Sequence, residues 1–492
     1  MGVKSLDDHY GFCRSDPEQV LTMTGTPPHP QHTWLGSDRP LARAVGRPMM
    51  RFLGIEAAGG VLLIVATMVA LFWANSPWSA SYHDLWRTEI HMGIGDLVAL
   101  EHNGHPLTLG QFVNDVLMVI FFFVVGLEIK RELVTGEMRR FRAALLPALA
   151  ALGGMVVPAL IYLAFAGDGE ASAGWGIPMA TDIAFAVGVV SLLGSRVPTP
   201  LKVFLLTLAI VDDIGAILVI ALFYTSNLEP GWLFLGGVSI IGVVAMARSR
   251  IRYAPLYVAL GIVLWYSVFM SGVHTTIAGV IMGLLAPAVP LLQGDHASES
   301  VGPVIAGEGD VATVKLAKFH LSETVPVTER LENLLHPVSA FLILPVFALA
   351  NAGIEISGDS VGTAVSSGIS IGVALGLVLG KLVGVSAFTL LAVRLGLCSL
   401  PAGATTRHVV GISAMAGIGF TVSLFITGLA FDAPLLQDEA KIGILVASAV
   451  AALLGSAILY GAKPVGPQPA GPGSNEPPVA TPVDSVSIDR NP

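Results

Sequence analysis

The sequence predicts an all-α polytopic membrane protein with about 12 transmembrane helices, and three observations support that fold class. The first is composition: of 492 residues, 53% are hydrophobic and 12% are charged, and the mean hydropathy is +0.74. A soluble domain carries about twice that fraction of charge. The second is a series of apolar runs of about 17–25 residues, each long enough to cross a hydrocarbon core of roughly 30 Å. The third is the distribution of lysine and arginine along the chain.

The apolar runs define the predicted spans in chain order, with boundaries accurate to a few residues. They lie near residues 53–74, 112–134, 144–166, 174–194, 201–224, 231–247, 254–270, 273–289, 336–354, 366–393, 407–430 and 440–462.

Lysine and arginine lie almost entirely on one side of the predicted topology. Of 26 such residues, only Arg87 and Lys441 fall in the odd-numbered loops, and Lys381 falls inside span ten. The others lie in the two tails or at the even-numbered loops. Because cytoplasmic loops carry the excess of positive charge, both termini are predicted to be cytoplasmic, and an odd number of spans would break this alternation.

Between two tails, the membrane domain is expected to cover residues 51–463. Residues 1–50 and 464–492 are rich in Pro, Gly and polar side chains, a composition that predicts disorder. The longest connection, residues 290–335, is polar and acidic. We expect an extended cytoplasmic loop there, ending in a short amphipathic helix around Glu329–Leu335, and no separate soluble domain.

Charge and cysteine content argue against several other classes. The net charge of −9 resides in loops and tails, and no basic stripe with interleaved aromatics indicates a nucleic-acid partner. The two cysteines, Cys13 and Cys398, are too far apart in sequence to suggest a disulfide framework or a metal cluster. We therefore expect no cofactor, no nucleic-acid partner and no enzymatic chemistry.

Two adjacent aspartates, Asp212 and Asp213, lie in the middle of the fifth predicted span, LKVFLLTLAIVDDIGAILVIALFY. Each central Asp costs roughly 2.5–3.5 kcal/mol on insertion, whereas each surrounding Val, Phe, Leu or Ile returns only about 0.3–0.6 kcal/mol. A functional role therefore explains the pair better than an interhelical hydrogen bond does. Because adjacent helical residues point about 100° apart, the two carboxylates cannot face one ligand in the same way. We expect one to coordinate a cation and the other to meet a counter-charge, for which Lys381 is the candidate.

Other ionisable side chains at predicted membrane depth are also functional candidates. They are Asp115 and Glu128 in span two, Asp182 in span four, His274 at the start of span eight and Lys381 in span ten. For three of them a structural role is the alternative. Glu128 lies at a span end, and its side chain can extend to the membrane interface, as can that of Lys381. His274 can hydrogen-bond a neighbouring helix.

Glycine and proline interrupt two of the predicted spans. Span four reads GWGIPMATDIAFAVG, with Pro178 ahead of Asp182, and span eleven reads GISAMAGIGFTVS, with Gly417 and Gly419 near its middle. Such interruptions in two halves predict discontinuous helices around a site near the midplane, although a single glycine is more often a packing contact. Half-helix ends carry partial charges of opposite sign, which Asp182 and Lys381 would compensate.

Taken together, several of these strings resemble the NhaA family of sodium/proton antiporters. The resemblance covers roughly residues 50–290 and 330–463 and rests on VGLEIKREL, IPMATDIAFAVG, LAIVDDIGAI, SGVHTTIAG, FALANAGI, LGKLVGVS and GIGFTVSLFI. It implies inverted-topology repeats, formed by spans three to five and ten to twelve, in which spans four and eleven are discontinuous and cross near the midplane. It also implies a homodimer in the bacterial cytoplasmic (inner) membrane.

The resemblance implies roles for the residues already singled out. Asp213 would be the principal ligand of Na⁺ or Li⁺, with Asp212 beside it and Lys381 paired with Asp212. Asp182 and Thr181 would lie at the helix crossing. Carboxylate and hydroxyl oxygens suit such hard cations.

A pH-sensing cluster at the cytoplasmic mouth is a further implication. It maps onto Glu128, Arg131, Glu132, His274 and Glu332. The sequence departs from the familiar pattern here, because Glu329 stands where a Lys is familiar and Asn333 where a His is familiar. The charge reversal beside Glu332 changes the local field, so the family's activation pH is not carried over.

Competition between sodium and protons for one site gives the expected mechanism. In a partly dehydrated cavity carboxylates favour the protonated form, whereas a cation favours the ionised form. Alternating access converts this competition into exchange, and Lys381 would release a proton when cation binding weakens its ion pair. An excess of protons over sodium ions per cycle, as the electrogenic family implies, lets the membrane potential drive extrusion of Na⁺ and Li⁺.

Two other functions remain open from the sequence. A sodium-coupled symporter of an organic anion would need polar groups to recognise its substrate, and the predicted spans offer no intramembrane cation beyond Lys381. An intramembrane aspartyl protease would need its two carboxylates on facing helices, which the adjacency of Asp212 and Asp213 disfavours.

Overall fold

The computed structural model describes most of the predicted membrane domain. The described residues are 58–91, 93–94, 98–99, 101–102, 105–225, 228–251, 253–292, 301, 304 and 310–462. The predicted tails, residues 1–50 and 464–492, lie outside the described residues, as do the beginning of the first predicted span and part of the 290–335 loop.

Helices make up most of the described chain. In chain order they are α1 Ala58–Ala74, α2 Ser79–Arg87, α3 Leu109–Val134, α4 Phe141–Ala166, α5 Ile183–Leu192, α6 Thr199–Phe223, α7 Pro230–Arg248, α8 Ala254–Met270, α9 Thr276–Leu285, α10 Val311–Glu323, α11 Val327–Asn351, α12 Gly358–Ser366, α13 Gly368–Arg394, α14 Thr406–Met415, α15 Phe420–Ala430 and α16 Pro434–Tyr460. A 3₁₀ helix, Gly169–Met179, precedes α5. Single π-helical turns occur in α3, α11 and α13, at Val113–Leu117, Ser339–Ile343 and Gly376–Gly380.

Short strands connect α2 to α3. They are β1 Glu89–Ile90, β2 Gly93–Ile94, β3 Val98–Ala99, β4 Glu101–His102 and β5 His105–Thr108. All pairings are antiparallel: β5 lies between β1 and β4, and β2 pairs with β3. These strands were not predicted, because strands of two to four residues leave almost no alternation of apolar and polar residues in the sequence.

Several described helices can cross a membrane. Seven are long and apolar enough by themselves, namely α3, α4, α6, α7, α11, α13 and α16. Three pairs meet the same criterion together but are bent: α1 with α2 by 112°, the 3₁₀ helix with α5 by 44°, and α14 with α15 by 45°. The apolar helices α8 and α9 are shorter. The predicted fold class, an all-α polytopic membrane protein, is therefore confirmed, whereas the count of twelve spans stays a prediction.

The interior of the bundle contains α6. Its buried residues include Leu205, Leu208 and Ile210 as well as Ala216 and Ile220, so several of its faces are covered. A helix that is apolar nearly all round is expected to be buried in this way. The two aspartates of this helix, Asp212 and Asp213, are buried as well.

Glycines bring α4 and α13 close together. A Cβ at Gly384 would meet the Gly153 carbonyl oxygen, and a Cβ at Gly153 would meet the Gly384 carbonyl oxygen. One turn earlier in α13, a Cβ at Gly380 would meet the Cα of Pro158 in α4 at 2.7 Å. Small residues at such an interface let two membrane helices pack backbone to backbone. This contact fixes α13, the helix that carries Lys381.

The connection before α11 differs from the prediction. It contains α10, which was not predicted because its apolar residues form no single stripe. The short amphipathic helix expected around Glu329–Leu335 is instead the first part of α11, which continues without a break into the ninth predicted span. Pro337 lies inside this helix. Membrane helices tolerate proline where neighbouring groups satisfy the freed backbone.

Candidate functional site

The two bent helix pairs around α5 and α15 meet at their breaks. Residues 180–182 separate the 3₁₀ helix from α5, and residues 416–419 separate α14 from α15. The Asp182 N–H donates to the Ile418 carbonyl at 2.7 Å, and Ser423 Oγ donates to the Ile177 carbonyl at 2.8 Å. Backbone groups left unpaired by each break are thus satisfied by the other pair, as the low-dielectric interior requires.

Asp182 lies at the beginning of two helices. Its Oδ1 accepts the Phe185 N–H of α5 at 3.0 Å, while its Oδ2 accepts the Thr421 N–H of α15 at 3.0 Å and the Thr421 hydroxyl at 2.7 Å. The side chain is buried, being 2% exposed. Helix N-termini carry partial positive charge, so one carboxylate stabilises both ends.

Asp212 forms an ion pair with Lys381. The Lys381 Nζ lies 2.6 Å from Asp212 Oδ2, and both side chains are fully buried. The Thr181 hydroxyl lies 2.8 Å from the same Oδ2 and 2.9 Å from the Ala416 carbonyl, so its one proton is shared between two acceptors. This network joins α6 and α13 to the breaks of both bent pairs.

Asp213 has different surroundings from its neighbour. It is 4% exposed, and its Oδ1 is buried with no hydrogen-bond partner among the described residues. The Oδ1 of Asp212 is likewise buried and has no hydrogen-bond partner among the described residues. Each carboxylate therefore offers one acceptor oxygen that a proton or a hard cation can use.

A second charged cluster joins the end of α3 to the beginning of α11. Arg131 donates from Nη1 to Glu332 Oε1 at 2.6 Å, with the Glu332 side chain 14% exposed. Glu132 Oε1 accepts the N–H groups of Glu137 and Met138, at 2.8 and 3.3 Å, and so caps the 3₁₀ turn after α3.

The remaining candidates are Glu128 and Asp115 on α3 and His274 just before α9. Glu128 is half-buried on α3, about one turn before Arg131 and Glu132 of the second cluster. His274 precedes α9, and its ring centroid lies 6.1 Å from that of Phe425 in an edge-on arrangement. Asp115, in the π-helical turn of α3, accepts a hydrogen bond from the Thr275 hydroxyl at 3.4 Å.

Two contributors to the site were not predicted. Thr421 donates twice to Asp182, and the Ala416 carbonyl meets Thr181. Thr421 is a polar residue beside the glycines of GIGFTVS, and that position was a usable signal. The carbonyl of an alanine leaves no signal in a sequence.

An apolar helical bundle with buried carboxylates and a buried ion pair at its centre is typical of proteins that move ions across membranes. Comparison with known proteins gives the particular family. The sequence model of the family described as Na⁺/H⁺ antiporter 1 matches residues 50–459. The chain belongs to this family, that of the NhaA Na⁺/H⁺ antiporters, and the predicted resemblance is confirmed.

Curated relatives cover most of the chain. It is 46% identical over 417 residues to Na(+)/H(+) antiporter NhaA 3 of Frankia alni, which spans 84% of this chain and 89% of the relative. It is 45% identical over 440 residues to Na(+)/H(+) antiporter NhaA 2 of Sorangium cellulosum, spanning 87% and 92%. It is also 45% identical over 446 residues to Na(+)/H(+) antiporter NhaA 2 of Myxococcus xanthus, spanning 88% and 93%.

Proposed function

We propose that the chain exports cytoplasmic Na⁺ or Li⁺ in exchange for external protons, with Asp213 as the principal cation ligand. The observation that carries this proposal is the asymmetry of the aspartate pair. Asp212 has the Lys381 ammonium as its counter-charge at 2.6 Å, whereas Asp213 has no ion-pair partner among the described residues, and its buried Oδ1 accepts no hydrogen bond there. A buried carboxylate of that kind must bind either a proton or a cation, because an isolated charge in an apolar interior is costly.

Competition at this pair produces the exchange. A cation arriving from one side favours the ionised carboxylates and displaces their protons, and a proton arriving from the other side displaces the cation. Cation binding at Asp212 weakens its attraction for the Lys381 ammonium, which then gives up its proton. When more protons than sodium ions move per cycle, the exchange is electrogenic and the membrane potential drives Na⁺ outward.

The bent pairs supply the moving parts. We take the 3₁₀ helix with α5, and α14 with α15, as two interrupted spans within a twelve-span domain covering residues 51–463. Asp182 bonds to Ile418 and Thr421, and so links the breaks of the two pairs. Thr181 contacts both Asp212 and the Ala416 carbonyl, so a movement at the Asp212–Lys381 ion pair is transmitted to both breaks. Rocking of this assembly alternates access to Asp213 between the two sides, as in other inverted-repeat transporters.

The cluster at the end of α3 is the proposed pH-regulatory element. It comprises Glu128, Arg131, Glu132 and Glu332, with His274 at the start of α9. Arg131 and Glu332 form the ion pair of this cluster, with Glu128 about one turn before Arg131 on α3. A change of protonation at these carboxylates alters the local field at the end of α3. Glu329, one turn before Glu332, adds negative charge and sets the response of this chain apart from the familiar pattern.

Location and assembly complete the proposal. The positive charge of the even-numbered loops supports cytoplasmic termini. Membership of a family of bacterial antiporters supports a location in the bacterial inner membrane. The tails, residues 1–50 and 464–492, and the 290–335 connection lie on that side. The working form is a homodimer.

Everted membrane vesicles test the exchange directly. In vesicles from cells without their own Na⁺/H⁺ antiporters, respiration builds a pH gradient that Na⁺ or Li⁺ should dissipate and K⁺ should not. The Asp213→Asn variant keeps the shape of the side chain but loses its charge, so its response to Na⁺ and Li⁺ should vanish.

Asp168→Asn is the matched control, because Asp168 is exposed ahead of the 3₁₀ helix and far along the chain from α6. It should respond like the parent protein. A full Na⁺ response from Asp213→Asn overturns the site, and an equal response to K⁺ overturns the ion selectivity. A response that requires an added organic anion favours the symporter instead.

A further inference from the structure

Helix α10 presents apolar side chains to its surroundings although it precedes a membrane span. Five large apolar residues in its 13 positions are between 46% and 72% exposed. They are Val311, Val314, Leu316, Phe319 and Leu321. Only Ala317 and Glu323 of this helix are buried. These side chains point to several sides of the helix and form no single stripe, so α10 exposes apolar groups around much of its circumference. Exposed apolar groups in this number mark an interaction site.

Two lysines lie within the same exposed surface. Lys315 stands one turn after Val311 and one turn before Phe319, and Lys318 stands one turn after Val314, so apolar and cationic groups are neighbours. Both lysines are exposed. The acidic residue at the end of the helix is turned away, because Glu323 is buried and its Oε1 accepts from Arg330 Nη2 at 2.9 Å. At the other end the exposed Asp310 caps the helix by accepting the Thr313 N–H at 2.7 Å. Between these two ends the exposed charged side chains of α10 are the two lysines.

The C-terminal end of α10 is fixed beside two membrane helices. The N–H groups of Leu291 and Leu292, shortly after α9, donate to the Glu323 carbonyl at 3.0 and 3.2 Å. The Glu323–Arg330 ion pair ties the same end to the first turns of α11. A 13-residue helix is about 20 Å long, so all of α10 is within reach of the membrane surface.

We propose that α10 lies along the cytoplasmic membrane surface and binds anionic phospholipid headgroups through Lys315 and Lys318. The apolar side chains enter the boundary between headgroups and acyl chains, and the lysine stems lie along that boundary while their ammonium groups contact phosphate oxygens. Positive charge next to exposed apolar groups fits an anionic leaflet better than it fits a second copy of this cationic helix. The inference rests on the proposed membrane topology and not on the proposed ion exchange.

Such a contact has a consequence for the regulatory cluster. Glu323 pairs with Arg330, which lies two residues before Glu332, the partner of Arg131. Movement of α10 onto or off the surface therefore acts on the first turns of α11. Anionic lipid becomes an input to the same cluster that we propose to sense pH.

Lipid contact can be measured with a probe on the helix itself. The full chain carries Phe319→Cys in a Cys13→Ser/Cys398→Ser background, is labelled with an environment-sensitive fluorophore and is reconstituted into phosphatidylcholine vesicles containing a doxyl-labelled lipid. Adding phosphatidylglycerol should increase quenching of the fluorophore. Because each lysine near an anionic surface contributes roughly fivefold to binding, Lys315→Gln/Lys318→Gln should weaken the phosphatidylglycerol dependence by roughly thirtyfold.

Arg142→Gln/Arg394→Gln is the matched control, since it removes two exposed charges elsewhere on the same side of the predicted topology. It should leave the quenching unchanged. The proposal is overturned if quenching does not depend on phosphatidylglycerol, or if that dependence is unchanged when both lysines are replaced. It is also overturned if quenching disappears when the protein is diluted in lipid, because the contact would then be between copies of the protein. Displacement by soluble glycerol phosphate at matched ionic strength would identify a free phosphate site and overturn the lipid assignment. The readout needs no transport, so failure of ion exchange leaves it interpretable.

Discussion

At the scale of single residues, the molecule separates two aspartates that the sequence presents as equals. Asp212 shares its Oδ2 with Lys381 and Thr181, and Asp213 has an unpartnered Oδ1 within the described chain. The cause is the rotation of about 100° between adjacent helical positions, which turns each carboxylate toward a different neighbour. The Oδ1 of each carboxylate is without a hydrogen-bond partner in that part of the chain, so the two aspartates differ in counter-charge: Asp212 has Lys381, and Asp213 has none among the described residues.

The buried ion pair should dominate the stability of this region. Removing one partner leaves an uncompensated buried charge, which costs about 3–5 kcal/mol. Lys381→Met should therefore lower the melting temperature in detergent, and Asp212→Asn in the same chain should restore part of the loss, because no unpaired charge remains.

Lys441→Met provides the comparison for that measurement. Its Nζ lies 3.7 Å from Asp438 Oδ1, and Asp438 is 49% exposed, so the loss of this pair should cost less than about 1 kcal/mol. An unchanged melting temperature for Lys381→Met, or equal effects of the two lysine variants, would contradict the assigned role of the ion pair.

At the scale of elements, the position of Lys381 depends on how α13 packs against α4. The pair Gly153 and Gly384 permits backbone contact, and a Cβ at Gly154 would meet Lys381 Nζ at 3.6 Å. Since Gly384 is three residues after Lys381, a side chain at Gly384 would push the lysine away from Asp212.

Gly384→Val should therefore destabilise the protein and slow exchange together. Overpacking of this kind costs about 1–3 kcal/mol, and the displaced α13 lengthens the distance between Lys381 and Asp212. Gly237→Val, in α7, is the matched control because a Cβ there meets nothing within 4 Å. We would measure melting temperature and the vesicle response for both variants. Similar values for the two would disprove the dependence on close packing.

The bent pairs show how far patterns predict elements. Pro178 and the glycines of GISAMAGIGFTVS predicted interruptions, and the structure has bends of 44° and 45° at these segments. That each bent pair is one discontinuous span stays a prediction. The contact between the breaks was not visible. It depends on the Asp182 N–H reaching Ile418 and on Thr421 reaching Asp182, which are partners from distant parts of the chain.

At the scale of the whole molecule, charge asymmetry sets the orientation we propose. On a Cys13→Ser/Cys398→Ser background, Asp168→Cys should react with a membrane-impermeant maleimide in intact cells, since it lies in a predicted external loop. Ala402→Cys, between α13 and α14, should react only in everted vesicles. Both positions are exposed, so a difference in labelling reports the side of the membrane. The opposite pattern would reverse the topology.

The sequence by itself determined the fold class, the family, the order of the apolar helices and the residues with unusual charge. Hydrophobic periodicity, charge placement and a carboxylate pair inside an apolar run are all local properties, so one chain is enough to see them. Local patterns did not predict α10, the strands between α2 and α3, or the continuity of α11 through Pro337. Helix geometry alone left open which aspartate meets Lys381, and the expectation that it is Asp212 came from the family resemblance. The tertiary structure has Lys381 at Asp212 and adds Thr421 and the Ala416 carbonyl to the site. Those contacts join residues far apart in sequence, and they arise from the packing of helices whose rotation and depth no local pattern specifies.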